Sequence, residues 1–114
     1  MHELSMMRQL LARVEEHAER LGARQVAAIN LVVGERAGFV DDALLFAFEL
    51  LTPGTVAEGA RLNVRRPPMR FLCPRCRADY HPGGADFRCP RCGTVGQDSG
   101  EGSELLIESL EIAT

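Results

Sequence analysis

Four cysteines, Cys73, Cys76, Cys89 and Cys92, stand in two identical pairs with the spacing C-x2-C-x12-C-x2-C. Two residues between cysteines let one tight turn aim both sulfurs at the same point. Two such turns supply a tetrahedron of thiolates, the geometry zinc adopts in structural sites. Cys89-Pro90-Arg91-Cys92-Gly93 shows how the turn is made. Pro90 sets φ, and Gly93 is free to take the positive φ that carries the chain back beneath the metal. Cys73-Pro74-Arg75-Cys76-Arg77 lacks that glycine and is the less ideal copy. Four thiolates fill every coordination position, so no open site is left for a catalytic water, and the expected role is structural. A module of about thirty residues builds too small a core to fold on burial alone, so the metal supplies folding energy. Four thiolates also hold iron in a rubredoxin-like site, and two disulfides are the third possibility. A cytosolic setting, where thiols stay reduced, disfavours the disulfides. His81 lies between the pairs and reads as a surface-loop histidine, and His17 as a solvated one.

The second chemical feature is Met1-His2-Glu3. An α-amine followed by histidine offers the amine, the His2 amide nitrogen and the His2 imidazole, which close adjacent chelate rings on one ion. With the amide deprotonated the set is a strong planar field, which Ni²⁺ and Cu²⁺ accept and zinc does not favour. The Glu3 amide or carboxylate can supply a fourth position. The plainer alternative is a polar start to a helix.

Charge divides the chain. All thirteen basic residues are arginine, and the formal net charge is −3. Residues 65–92 hold seven arginines against two aspartates, a net of +5, while the remainder holds six arginines against fourteen acids. Opposite signs in the two parts suggest two modules. No apolar run approaches the roughly 18 residues of a membrane span, and the start lacks the basic and apolar regions of a signal peptide. A cytoplasmic protein with no membrane association is expected.

Elements must position these groups. Leu4, Met7, Leu11, Val14, Ala18 and Leu21 alternate steps of three and four, which predicts a helix over about 3–21 with Gly22 as its C-terminal cap. Gln25 to Val33 is apolar on both faces and reads as a central strand. Asp41 or Asp42 is placed to cap a second helix running to about Leu51, with the face Leu44, Leu45, Phe48 and Leu51. Arg61 to Arg65 reads as a strand, with Leu62 and Val64 on one side. Arg66-Pro67-Pro68 is a stiff linker into the cysteine segment. Residues 104–112 form a last strand with Leu106, Leu110 and Ile112 on one face. Two apolar helix faces need a sheet to cover them. The expected fold is therefore α+β, two helices on a small three-stranded sheet, with an inserted four-cysteine zinc-ribbon module. The domains are 1–68 plus 103–114, and 69–102.

Met1-His2-Glu3-Leu4-Ser5 opening a helix, a strand ending in Gly34-Glu35, the stretch from Ala43 to Gly59, the paired Cys-x2-Cys turns and the closing Ser109-Leu110-Glu111-Ile112 together resemble the HypA/HybF family. Its members are nickel metallochaperones for [NiFe]-hydrogenase maturation. The resemblance covers nearly the whole chain in order, and departs from the common pattern at Arg36-Ala37. It implies that Met1, His2 and Glu3 carry Ni(II) as transient cargo, and that Cys73, Cys76, Cys89 and Cys92 hold structural Zn(II). It further implies delivery with a HypB-type GTPase to the hydrogenase large subunit and, in some organisms, service to urease through its accessory proteins. A monomer or weak homodimer is expected.

The sequence shows no nucleophile–base pair, phosphate loop or cofactor fingerprint, so no catalytic residue and no enzyme activity are expected. The competing reading is a nucleic-acid-binding zinc ribbon, in which the basic segment serves phosphates and the interleaved Phe71, Tyr80 and Phe87 stack on bases. The acidic total charge opposes it, and no nucleic-acid partner is expected.

Overall fold

The structure is a computed structural model, and it describes residues 2–83 and 86–113. Helix α1 spans His2–Arg20, strand β1 Gln25–Val33, helix α2 Asp41–Leu51 and strand β2 Arg61–Arg65. Short strands β3 (Phe71–Cys73), β4 (Ala78–Tyr80) and β5 (Gln97–Asp98) follow, and β6 is Leu105–Ala113. A single 3₁₀ turn, Glu35–Ala37, sits between β1 and α2. The chain forms two compact units, one of Met1–Val32, Gly38–Arg65 and Leu106–Thr114, the other of Val33–Ala37 and Arg66–Leu105.

In the first unit the sheet order is β2-β1-β6, which makes β1 the central strand. β1 and β2 run parallel, with Ala28 opposite Arg61 and Val32 opposite Arg65. The α2 crossover makes that possible, because parallel neighbours need a long connection. β6 runs antiparallel to β1, since Arg24 N–H bonds Ala113 at one end and Gly34 N–H bonds Glu104 at the other. Helices α1 and α2 pack on each other. Met7, Leu10, Leu11, Val14 and Ala18 of α1 are buried with Ile29 and Leu31 of β1 and with Leu44, Ala47 and Phe48 of α2. The other face of β1 is covered differently. Asn30 bonds Ser109 on one side and accepts from the Asn63 amide on the other, and ion pairs Arg61–Glu111 and Arg65–Glu108 flank this ladder. Arg61 and Arg65 stand opposite Ala28 and Val32 in the strand register, with their side chains largely exposed.

The C-terminus of α1 is a Schellman motif. Gly22 takes φ +65°, its N–H bonds Glu19, and the Ala23 N–H bonds Ala18. Four expectations differ from what is found, the first being that Leu21, expected on the apolar face of α1, lies past its end and is 59% exposed. The N-cap of α2 is Val40, with no side-chain cap, and Asp41 and Asp42 lie inside the first turn. Ala47 replaces Leu45 and Leu51 on the buried face of α2, where Leu45 is 47% exposed, because that face is narrower than four large residues. In β6 the half-buried positions are Ile107, Leu110 and Ile112, so the alternation slips by one residue and Leu106 is exposed.

In the second unit β4-β3-β5 form an antiparallel sheet in which Phe71 pairs with Tyr80 on one side and Asp98 on the other. Its core is Phe71, Tyr80, Cys73 and Cys89, with Cys76 and Cys92 against it. The buried Tyr80 hydroxyl donates to Phe87 C=O at 2.5 Å and accepts from Gly96 N–H at 3.0 Å, tying three segments together. Residues 33–37 join this unit. Glu35 N–H bonds Pro67, the Glu35 carboxylate accepts from Met69 N–H, and Arg36 N–H bonds Gly102. Arg36 also forms an ion pair with Asp98. The Gly34 backbone passes so close to the Gly102 carbonyl that no Cβ fits there.

Candidate metal centre and N-terminal site

Both cysteine turns have the same backbone bond. The Arg77 N–H donates to Cys73 C=O and the Gly93 N–H to Cys89 C=O, each at 2.9 Å. Both closing residues sit in the left-handed region, Gly93 at φ +77° and Arg77 at φ +53°. Arg77 is the one non-glycine residue with positive φ among those described, so the less ideal turn adopts the same fold under strain. The result brings the sulfurs of Cys73, Cys76, Cys89 and Cys92 within 4.8 Å of one another. Cys73 Sγ and Cys92 Sγ are 3.5 Å apart. A tetrahedral ion with Zn–S bonds of about 2.3 Å sets sulfurs about 3.8 Å apart. The cluster is therefore suited to a structural metal ion such as zinc, and it is closed. Cys73 and Cys89 are 2% and 4% exposed, so two of the four donors face the ribbon interior.

Electrostatics divide the cysteines of the cluster. The Thr94 hydroxyl and then the Thr94 N–H bond Cys92, bringing its thiol down to about 6. The N–H groups of Arg91 and Cys92 likewise lower Cys89. The Cys76 N–H donates to Cys73 Sγ at 3.4 Å. Cys76 is pushed up to about 12, first by its hydrogen bond to Cys92 and then by burial. A bound cation would favour the thiolate form of all four sulfurs.

At the other site, Met1 lies outside the described residues. His2 and Glu3 open α1, and the turn before α2 receives both. The His2 imidazole stacks on the Phe39 ring, with centroids 4.5 Å apart and planes 26° from parallel. The Glu3 carboxylate accepts from the Val40 N–H at 3.2 Å, and this bond is the main cause of its lowered pKa. Glu3 thus gives the N-terminus of α2 a carboxylate where its own N-cap, Val40, offers none. The sequence reading missed Phe39 and Val40. Glu3 and Val40 are 37 positions apart, and Phe39 follows Gly38 in a stretch with no periodicity to flag it.

The remaining candidates have structural uses. His81 is exposed, with Nδ1 2.8 Å from Met69 C=O. Of the aromatic side chains in the basic segment, Phe71 and Tyr80 are 7% and 9% exposed and pack in the ribbon core. Phe71 also stacks on Phe87. Arg70 is paired with Glu101 and Asp79, and Arg88 with Asp86. Two of the three side chains that a nucleic-acid reading needs for stacking are packed in the ribbon core while Phe87 is 39% exposed, and two of its arginines are paired with acids at the surface.

Comparison with known proteins places the chain in a family. Residues 1–112 match the family described as HypA, hydrogenase/urease nickel incorporation, metallochaperone. Hydrogenase maturation factor HypA of Dehalococcoides mccartyi is 40% identical over 112 residues, covering 98% of this chain and 94% of that protein. The protein of the same name from Geobacter metallireducens is 38% identical, covering 98% and 99%. Among solved structures, the Ni metallochaperone HypA from Helicobacter pylori superposes with a TM-score of 0.67 at 25% identity, covering 98% of this chain and 97% of that one. A second HypA solution structure gives 0.68 at 27% identity, covering 98% and 96%. No helix among the described residues is long and apolar enough to cross a membrane. With a closed four-cysteine cluster, two helices on a mixed sheet and a whole-length match, the chain belongs to the HypA family of hydrogenase and urease nickel-incorporation metallochaperones.

Proposed function

We propose that this protein binds Ni(II) at Met1, His2 and Glu3 and delivers it, with a HypB-type GTPase, to the hydrogenase large subunit during maturation. The observation that carries this is the family match, which runs from residue 1 to 112 and so includes both the Met-His-Glu start and all four cysteines. The amine, amide and imidazole chelate supports it chemically. The α+β domain carries the nickel and the inserted ribbon carries zinc on Cys73, Cys76, Cys89 and Cys92, in a purely structural role. The protein performs no catalysis of its own; insertion into the client is driven by the partner. The stacking of His2 on Phe39 and the bond from Val40 N–H to the Glu3 carboxylate support this reading by holding two of its three residues.

The test is a calorimetric nickel titration of wild type and His2→Ala, both with a native, untagged N-terminus. His2→Ala is expected to lose tight nickel binding and keep one zinc per chain. Wild-type affinity should fall steeply from about pH 8 to 6, because protons compete with the ion for the imidazole and amine nitrogens. Cu²⁺ should bind the same site more tightly than Ni²⁺. Equal nickel affinity in the two proteins overturns the reading.

A further inference from the structure

We infer that Phe39 is a positioning residue for the nickel cargo, acting through the His2 imidazole. The inference rests on the proposed nickel site and deepens it. The imidazole of a second residue turns freely about two bonds, and only one orientation places a ring nitrogen in the plane of the amine and amide donors. The phenyl ring of Phe39 lies against one face of the His2 ring at 4.5 Å and 26°. Stacking uses the π face, whereas a metal is bound by the lone pair in the ring plane. The two interactions therefore do not compete, and the contact restricts rotation without occupying a donor atom. Preorganisation of this kind raises affinity by removing an ordering cost from the binding step.

Phe39 is itself well fixed. It is 7% exposed, although it lies in a turn and flanking Val40 is 60% exposed. The next residue anchors the same turn to α1 from the other side, through the Val40 N–H and the Glu3 carboxylate. Residues 39 and 40 thus hold side chains 2 and 3 respectively, by a ring contact and a hydrogen bond. His2 is exposed, so its imidazole is accessible to an incoming ion.

The experiment is nickel titration of untagged Phe39→Leu, Phe39→Met and Phe39→Tyr, each alone and with His2→Ala, together with NMR of the His2 ring protons. Leucine and methionine keep apolar bulk and lose the ring; tyrosine keeps it. The His2 ring protons should show an upfield ring-current shift in wild type and Phe39→Tyr that disappears in the other two. Nickel affinity should fall about 3- to 10-fold in Phe39→Leu and Phe39→Met and stay at the wild-type value in Phe39→Tyr. In the His2→Ala background none of the three should change nickel affinity further. Wild-type affinity in Phe39→Leu or Phe39→Met, or an equal loss in the His2→Ala background, overturns the positioning role and leaves the nickel site standing. If His2→Ala itself binds nickel as tightly as wild type, the site reading fails and the role of Phe39 fails with it. Should one variant lose its fold by circular dichroism, the other apolar variant decides.

Discussion

The α+β unit and the ribbon are held together by different means. In the first, Met7, Val14, Ile29, Leu31 and Leu44 are all 1% exposed or less, and two helices share one side of a sheet. Such a core folds on apolar burial. In the second, the buried cluster is four residues, two of them cysteines, and the strands are two or three residues long. Too little apolar surface is removed from water there to offset the entropy of ordering a loop-rich chain. The sulfur cluster is suited to supply the difference by holding a metal ion. Within one small protein, composition thus decides whether burial or coordination does the folding.

The largest test of this contrast is to remove the metal. Cys73→Ser or Cys89→Ser should abolish bound zinc and collapse the dispersed amide signals of the ribbon, since metal binding supplies on the order of 10 kcal/mol to comparable modules. The amides of residues 7–31 should remain dispersed. A folded, metal-free ribbon would break the comparison. The reciprocal test is Leu44→Ala. Leu44 is fully buried, so truncation should destabilise the α+β unit by about 2–5 kcal/mol in urea unfolding while the zinc content stays at one per chain. The smallest effect sharpens the contrast within the ribbon. Nothing lies within 4 Å of a Cβ built on Gly93, so Gly93→Ala costs only backbone strain, about 1–2 kcal/mol. Arg77→Gly should relieve the same strain in the other turn and gain up to about 1 kcal/mol. Zinc competition against a chelator reads both, and equal signs for the two substitutions would refute the account.

Much of the fold was legible because its signals are local. The three–four spacing of Met7, Leu11, Val14 and Ala18 located α1, Gly22 marked its end, and the two-sided apolar run from Gln25 to Val33 identified a central strand. The short ribbon strands were not legible, since two or three residues carry no periodicity. Nor was the cap of α2. An aspartate beside a helix start is an ordinary cap signal, but here Val40 occupies the cap position and the carboxylate arrives from Glu3.

By itself the sequence determined which candidate donors exist and how they are spaced: two Cys-x2-Cys turns, and Met1-His2-Glu3 ahead of a helical pattern. Those are properties of neighbouring residues, and backbone geometry over four or five positions suffices to express them. Only the tertiary structure decided what surrounds the donors. It brought both cysteine turns to one point across an intervening segment and forced Arg77 into a glycine's conformation. It also drew residues 33–37 into the ribbon unit, and set Phe39 and Val40 against His2 and Glu3. These contacts join residues far apart in the chain. They arise from packing helices on a sheet and closing strands on one another, and no local pattern of residues records them.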